Sequence, residues 1–158
     1  MNKTKISLLA FLSLLELAVI ARAETPLAIA QSQLGRGEIG GNNRGAYVRK
    51  YLNGRENLPW CAGFISYCFR EAGYKLPYTL WARDYLKLGR KVTIPRPGDL
   101  MVFSRKGGGG HIEIISKVTK DNIFTIGGNV GPAPAKIREF KYNRHNIKNL
   151  LGFVRIEK

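Results

Sequence analysis

The sequence predicts an α+β fold, with helices packed on one side of an antiparallel sheet of about five strands. Two observations support this fold class. Helical spacing of apolar residues and helix-capping signals are confined to the first half of the chain, and β-rich runs separated by turn signals fill the second half. A helical half followed by a strand meander is typical of α+β domains. No repeat, linker or low-complexity tract marks a second domain, so residues 24–158 are predicted to form one.

The first 23 residues have the pattern of a secretory signal peptide. Lys3 and Lys5 form a basic start, residues 6–20 are largely apolar, and residues 21–23 (Ala-Arg-Ala) fit a cleavage site before Glu24. The apolar run is shorter than the roughly 20 residues of a membrane span. We therefore expect a secreted or periplasmic protein with no stable membrane anchor, and an uncleaved anchor is the alternative.

Four helices are predicted in the first half. Thr25 and Pro26 suit the N-cap and first position of a helix that ends near Gly35. A Gly/Asn-rich loop over residues 37–44 separates it from the others. The later helices are predicted over residues 46–52, 61–72 and 80–88.

Five strands are predicted in the second half, after the turn signal at residues 95–99. The side chain of Asp99 is expected to cap that turn. A loop over residues 105–110, with four glycines, is expected to let a ligand approach the neighbouring strands. The strands are predicted near residues 99–104, 111–117, 123–126, 137–142 and 151–156.

The chain is strongly basic. It has 26 Lys and Arg residues against 11 Asp and Glu, a net charge of +15. Cleavage after residue 23 would remove Lys3, Lys5, Arg22 and Glu16 and leave +13, so the charge belongs to the predicted domain. Exported basic proteins meet cell-wall polymers, lipopolysaccharide or extracellular nucleic acid. Charge alone does not choose among these partners.

Cys61 is the candidate nucleophile. It follows Pro59-Trp60 and opens the third predicted helix, where free N–H groups and the helix dipole stabilise a thiolate. Cys68 lies seven residues further along the same helix, about 10 Å away at 1.5 Å per residue, which is too far for a disulfide. Cys68 shares the apolar face and is predicted to be core. The alternative for Cys61 is a small buried apolar residue.

His111 is the candidate base for Cys61. It opens a strand directly after the tetraglycine loop, whereas His145 lies in a polar loop and is expected to be exposed. A third group should orient the imidazole. Asn129, just past the end of the next strand, could accept its second N–H. Glu113 shares a strand face with His111, so it could instead tune the His or bind a substrate amine.

Two tryptophans remain open between a packing role and a wall of the substrate cleft. Trp60 precedes Cys61 directly. Trp81 and Tyr85 are four residues apart on the last predicted helix, and we expect them to pack on the core. No cofactor and no metal are expected, because two His and two Cys form no spaced ligand set.

The motifs PWCAGFISYCFREAG, PRPGDLMVFSRKGGGGHIEIISKV and FTIGGN, in this order, resemble the CHAP domain of the NlpC-type, papain-like Cys peptidases. The leader AQSQLGRGEIGGNNRGAYVRKYL is similar to that of one bacterial branch. The resemblance implies cleavage of amide bonds in peptidoglycan, with Cys61 as nucleophile, His111 as base and Asn129 as third member. Two departures stand out. Many relatives have a small residue at Glu113, and some have an acid near Gly127.

From these observations we expect an exported peptidoglycan hydrolase that cuts an amide bond of the stem peptide. Peptidoglycan is the expected partner, and no nucleic acid is expected. A secreted Cys peptidase or transamidase acting on protein is one alternative. A non-catalytic basic module that binds wall polymer is the other.

Overall fold

The computed structural model describes residues 24–158, so the predicted signal peptide lies outside the described residues. Helices fill the first half and strands the second, which confirms the predicted fold class. Residues 24–158 contain four α-helices: α1 (Pro26–Ser32), α2 (Ala46–Tyr51), α3 (Cys61–Glu71) and α4 (Tyr85–Leu88). The strands are β1 (Arg90–Val92), β2 (Leu100–Ser104), β3 (Gly110–Val118), β4 (Asn122–Gly127), β5 (Arg138–Asn143) and β6 (Leu150–Arg155).

The strands form one sheet in the order β1-β6-β2-β3-β4-β5, and every neighbouring pair is antiparallel. Strands β2 to β5 are a meander, and β6 returns to pair with β2 on its other side. All five predicted strands are present. The sixth, β1, was not predicted. It has only three residues, too few to show an alternating pattern, and it forms an edge through its pairing with β6.

Helix α3 lies at the centre of the helical layer. All of its first nine residues, from Cys61 to Phe69, are buried. The sequence predicted one apolar face, but α3 packs against α1 and α2 as well as against β3. Gly63 permits the close approach of α2, because a Cβ there would lie 2.8 Å from Leu52 Cδ2. The N terminus of α3 is thereby fixed against the rest of the fold.

Apolar and polar side chains alternate along strand β3 from His111 to Ile114. Ile112 and Ile114 are fully buried in the main core, which they share with the helices. His111 and Glu113 belong to the other face, where His111 neighbours Phe103 with a ring separation of 6.0 Å. This period of two is the one predicted from the sequence. It places two polar side chains next to each other in a buried part of the sheet.

Asp99 is buried and structural, as predicted, but its contacts extend beyond the turn. Its Oδ2 accepts the Arg96 N–H at 2.8 Å, and both carboxylate oxygens accept bonds from Arg155 at 2.7 Å. The pair therefore ties the turn before β2 to the end of β6. Within residues 24–158, no helix is long and apolar enough to cross a membrane.

Candidate active site

Cys61 is the first residue of α3 and is 3% exposed. Trp60 is the N-cap, so the thiol lies where the N–H groups of the first turn have no helical partner. Burial raises the pKa of the Cys61 thiol. The imidazole of His111, the charge of Arg105 and the N–H of Ala62 outweigh burial and hold that pKa below its ordinary value. The predicted position at a helix start is confirmed, and its environment favours a thiolate.

His111 lies at the beginning of β3 and is 5% exposed. Its Nε2 is 2.9 Å from Glu113 Oε1. A carboxylate only accepts hydrogen bonds, so Nε2 carries a proton and Nδ1 is left for the thiol. Nδ1 makes no hydrogen bond to a described residue, so its contact with Cys61 is looser than a hydrogen bond. Such contacts commonly tighten only when substrate binds.

The charge of His111 responds to both neighbours. Burial lowers the pKa of the imidazole, but Cys61 and Glu113 outweigh burial and raise that pKa above its ordinary value. The thiol pKa is lowered and the imidazole pKa is raised, so the two shifts together favour a thiolate–imidazolium pair. Cysteine hydrolases use such a pair as the nucleophile and the proton donor.

Asn129 and Glu113 were both predicted as candidates to orient His111, and of the two it is Glu113 whose side chain lies within hydrogen-bond distance of the imidazole. Asn129 follows β4 in the left-handed region, with φ of 63°, and its backbone carbonyl accepts a bond from Arg105 at 3.3 Å. The structure records no hydrogen bond between the Asn129 side chain and His111. The reason is geometric: Glu113, two residues along the same strand, already occupies the second ring nitrogen.

Trp60 does not wall the cleft. It is fully buried, and its Nε1 donates to Glu38 Oε1 at 3.0 Å. Its ring packs against Gly128, where a Cβ would overlap the ring. Glu38 itself is buried and also accepts the N–H groups of Asn43 and Ala135. The tryptophan before Cys61 therefore anchors the start of α3, and its partner, 22 residues earlier, could not be predicted from local sequence.

Trp81 is the tryptophan that stands in the cleft. A cavity of about 390 Å³ opens beside Cys61. Trp81 is 68% exposed, contrary to the expected core position, whereas Tyr85 is fully buried as expected. The glycines of the loop before β3 form part of the same wall, as the loop pattern predicted. The cavity is lined by Arg55, Leu58, Pro59, Cys61, Leu80, Trp81, Ala82, Gly109 and Gly110.

The remaining candidates lie away from this cleft. Cys68 is fully buried, and burial raises the pKa of its thiol, so it is core as predicted. Both cysteines are free. His145 is exposed in the loop between β5 and β6. Among residues 24–158, no three His, Cys, Asp or Glu side chains form a group that could hold a metal ion.

Arg105 acts on the candidate nucleophile but was not predicted as a site residue from the sequence. It precedes the four glycines of the loop, and its charge helps to lower the pKa of Cys61. Its only sequence signal was a basic residue in a flexible loop, which describes many surface positions in so basic a chain. Folding brings it to the thiol because β2 and β3 pair directly on either side of that loop.

A buried thiol at a helix start, next to a histidine held by a carboxylate, defines the class of site found in cysteine peptidases and amidases. Residues 53–129 match the family model for the CHAP domain, and this match confirms the resemblance seen in the motifs over that stretch of the chain. That family indicates a cell-wall hydrolase or peptidase.

Solved structures show the same fold. One is a protein described as similar to an NLP/P60-family lipoprotein from Staphylococcus aureus, with a TM-score of 0.52, 17% identity and 86% of this chain covered. This chain spans only 42% of that protein's length. Another is the P60 domain of an antigen from M. avium subspecies paratuberculosis, with a TM-score of 0.50, 17% identity, and 85% of this chain and 93% of that domain covered. No curated protein matches the chain.

The two thiols should differ in reactivity, and the difference should depend on pH. We expect iodoacetamide to alkylate Cys61 below the ordinary thiol pKa of about 8.5, because its lowered pKa leaves it ionised there. Its rate should fall as the pH drops through that lowered pKa. Cys68 should stay unmodified until the protein unfolds. Peptide mass mapping after timed alkylation separates the two sites, and equal rates would contradict the assignment.

Proposed function

We propose that this protein is an exported peptidoglycan hydrolase that cleaves an amide bond of the murein stem peptide through the Cys61 thiol. The observation that carries the proposal is the position of that thiol. It lies at a helix start, beside His111, at the wall of an open cleft. A merely packed cysteine would need neither an imidazole near its thiol nor an open cleft beside it, and Cys61 has both.

In the first half of the reaction, Cys61 Sγ attacks the carbonyl carbon of the scissile amide and forms an S–C bond. The backbone N–H of Cys61, in the first turn of α3, would stabilise the negative oxygen. His111 then gives its proton to the amide nitrogen, and the C–N bond breaks. The products are a free amine and a thioester on Cys61.

In the second half, His111 takes a proton from water, and the resulting hydroxide attacks the thioester carbon. The S–C bond breaks, the carboxylic acid leaves, and the thiolate–imidazolium pair is restored. No oxidant, reductant or metal enters this balance. Every proton moves between His111, the substrate and water.

The charge of the protein supports a wall polymer as its substrate. The net charge of +15 favours binding to anionic polymers, and Arg55 at the cleft is suited to a carboxylate of the stem peptide. The exposed ring of Trp81 offers an apolar surface at the same opening. Export through the segment before residue 24 would bring the protein to this substrate. Charge would then hold it on the wall.

The decisive experiment is the digestion of purified sacculi. The wild-type protein should release soluble muropeptides, and Cys61→Ala should release none above background. Cys68→Ala is the matched control, because it removes the other thiol and should leave release intact. Mass spectrometry of the products should find new amine and carboxyl ends at one amide bond. Equal release by Cys61→Ala and the wild type would refute the thiol mechanism, and cleavage of casein without release from sacculi would favour a protein peptidase.

A further inference from the structure

We infer that Glu113 is the positioning residue of His111, and that position 127 is glycine in this chain because the Glu113 side chain occupies the space beside it. The inference rests on the proposed thiol chemistry of Cys61 but not on a cell-wall substrate. It assigns two residues of adjacent strands, one acidic and one without a side chain, to a single function.

The Glu113 carboxylate is fully buried, and each of its hydrogen-bond partners acts as a donor. Oε1 lies 2.9 Å from His111 Nε2, and Oε2 accepts the Thr125 hydroxyl at 2.5 Å. The Tyr142 hydroxyl is 3.0 Å from Oε1 and 2.9 Å from Oε2. Three strands therefore hold this one carboxylate. Its complete burial excludes the alternative that it binds a substrate amine.

The charge of Glu113 has one close cationic partner among the described residues. The imidazole of His111 is in direct contact with it, whereas the charge of Arg105 acts on Cys61 and on Tyr142. Tyr142 stays neutral, since burial and Glu113 raise its pKa. A buried carboxylate is stabilised only when it is paired. Glu113 therefore favours a protonated His111 with Nδ1 toward the thiol.

Gly127 lies across the sheet from Glu113. The antiparallel register pairs Ile114 with Ile126, so the next position of each strand brings Glu113 opposite Gly127. A Cβ at Gly127 would lie 2.7 Å from Glu113 Cγ and 3.3 Å from Cδ. The backbone of Gly127 is not in the left-handed region, so its conformation does not call for glycine. Glycine is needed there because the Glu113 side chain occupies the space that a Cβ would fill.

The test is the pH profile of Cys61 alkylation by iodoacetamide, read by peptide mass mapping. The Glu113→Gln variant keeps the shape of the side chain and removes its charge. The pKa of His111 should therefore fall, and the Cys61 thiolate should lose its imidazolium partner. The alkylation curve should move to higher pH, and the rate at pH 7 should drop about tenfold for each unit of that movement. Glu139→Gln is the matched control, because Glu139 is an exposed acid on β5.

Gly127→Ala gives an independent arm that leaves Glu113 in place. The added methyl should push the carboxylate off His111 and move the curve in the same direction. In the Glu113→Gln background, Gly127→Ala should add little, because the interaction it disturbs is already gone. The double variant Glu113→Ala with Gly127→Glu should recover part of the wild-type curve, since it returns a carboxylate from the opposite strand.

Each outcome decides the inference. An unchanged alkylation curve in folded Glu113→Gln, with the circular dichroism of the wild type, would reduce Glu113 to a structural residue. Fully additive shifts from Gly127→Ala and Glu113→Gln would break the proposed link between the two positions. Alkylation needs no wall polymer. If sacculi are not digested and the curves still shift as expected, the substrate assignment fails and the positioning role stands.

Discussion

His111→Ala should lower muropeptide release by about 10²- to 10⁴-fold, the usual contribution of a positioned acid–base group. Two effects combine. The leaving amine loses its proton donor, and the thiol loses the partner that lowers its pKa, so less thiolate is present at neutral pH. The measurement is the initial rate of release from purified sacculi, with alkylation of Cys61 recorded on the same samples.

His145→Ala is the matched control for that variant. His145 is exposed in a loop, and its Nε2 lies 3.9 Å from Oδ1 of Asp121, which is also exposed. Exposed pairs of this kind contribute little to stability. Release should therefore stay within about twofold of the wild type, an expectation that follows from the small effect of most surface substitutions. Loss of activity in both variants to the same degree would mean that His111 acts through folding and not through chemistry.

Much of the fold could be predicted from local signals. Thr25 does cap α1, since its side chain accepts the Ala28 N–H at 3.1 Å, and Pro26 does open that helix. The pattern of two along β3 correctly placed His111 and Glu113 on one face. The three-residue strand β1 was not predicted because a strand so short shows no periodicity. It is defined only by its pairing with β6.

The candidate site was predictable where one residue and its helix or strand determine the chemistry. Cys61 at a helix start and His111 at a strand start are local features. The partner of the imidazole is not local in the same way. Glu113 and Asn129 were both available from the sequence, and the choice depends on side-chain directions across β3, β4 and β5. Only the folded sheet shows that Thr125 and Tyr142 converge on Glu113.

The two tryptophans could not be separated from sequence because their surroundings come from distant segments. Trp60 is buried by the ring stack with Tyr51, by Gly128 and by its bond to Glu38, which lies 22 residues earlier. Trp81 precedes a short 3-10 turn that leaves its ring in the cleft opening. Two residues of the same type therefore have different surroundings: Trp60 is part of the core, and Trp81 lies at the cleft, where we propose that it contacts substrate.

Trp60→Ala should lower the free energy of unfolding by about 3–5 kcal/mol, as expected when a fully buried aromatic side chain leaves a cavity. It also removes the N–H that satisfies buried Glu38. Trp81→Ala should change the same quantity by no more than about 0.5 kcal/mol, because its ring is 68% exposed. Urea titration followed by circular dichroism measures both.

Activity should rank the two variants in the opposite way. At low substrate, Trp81→Ala should slow muropeptide release by roughly two- to tenfold, the value of a lost aromatic contact. Trp60→Ala should keep a rate of release per folded molecule close to that of the wild type. It should be assayed at a temperature well below its unfolding midpoint. Trp60→Phe keeps an aromatic ring but removes the N–H. It replaces the alanine variant in this assay if that variant does not fold. A Trp81→Ala protein with full activity would remove Trp81 from the cleft's contacts with substrate.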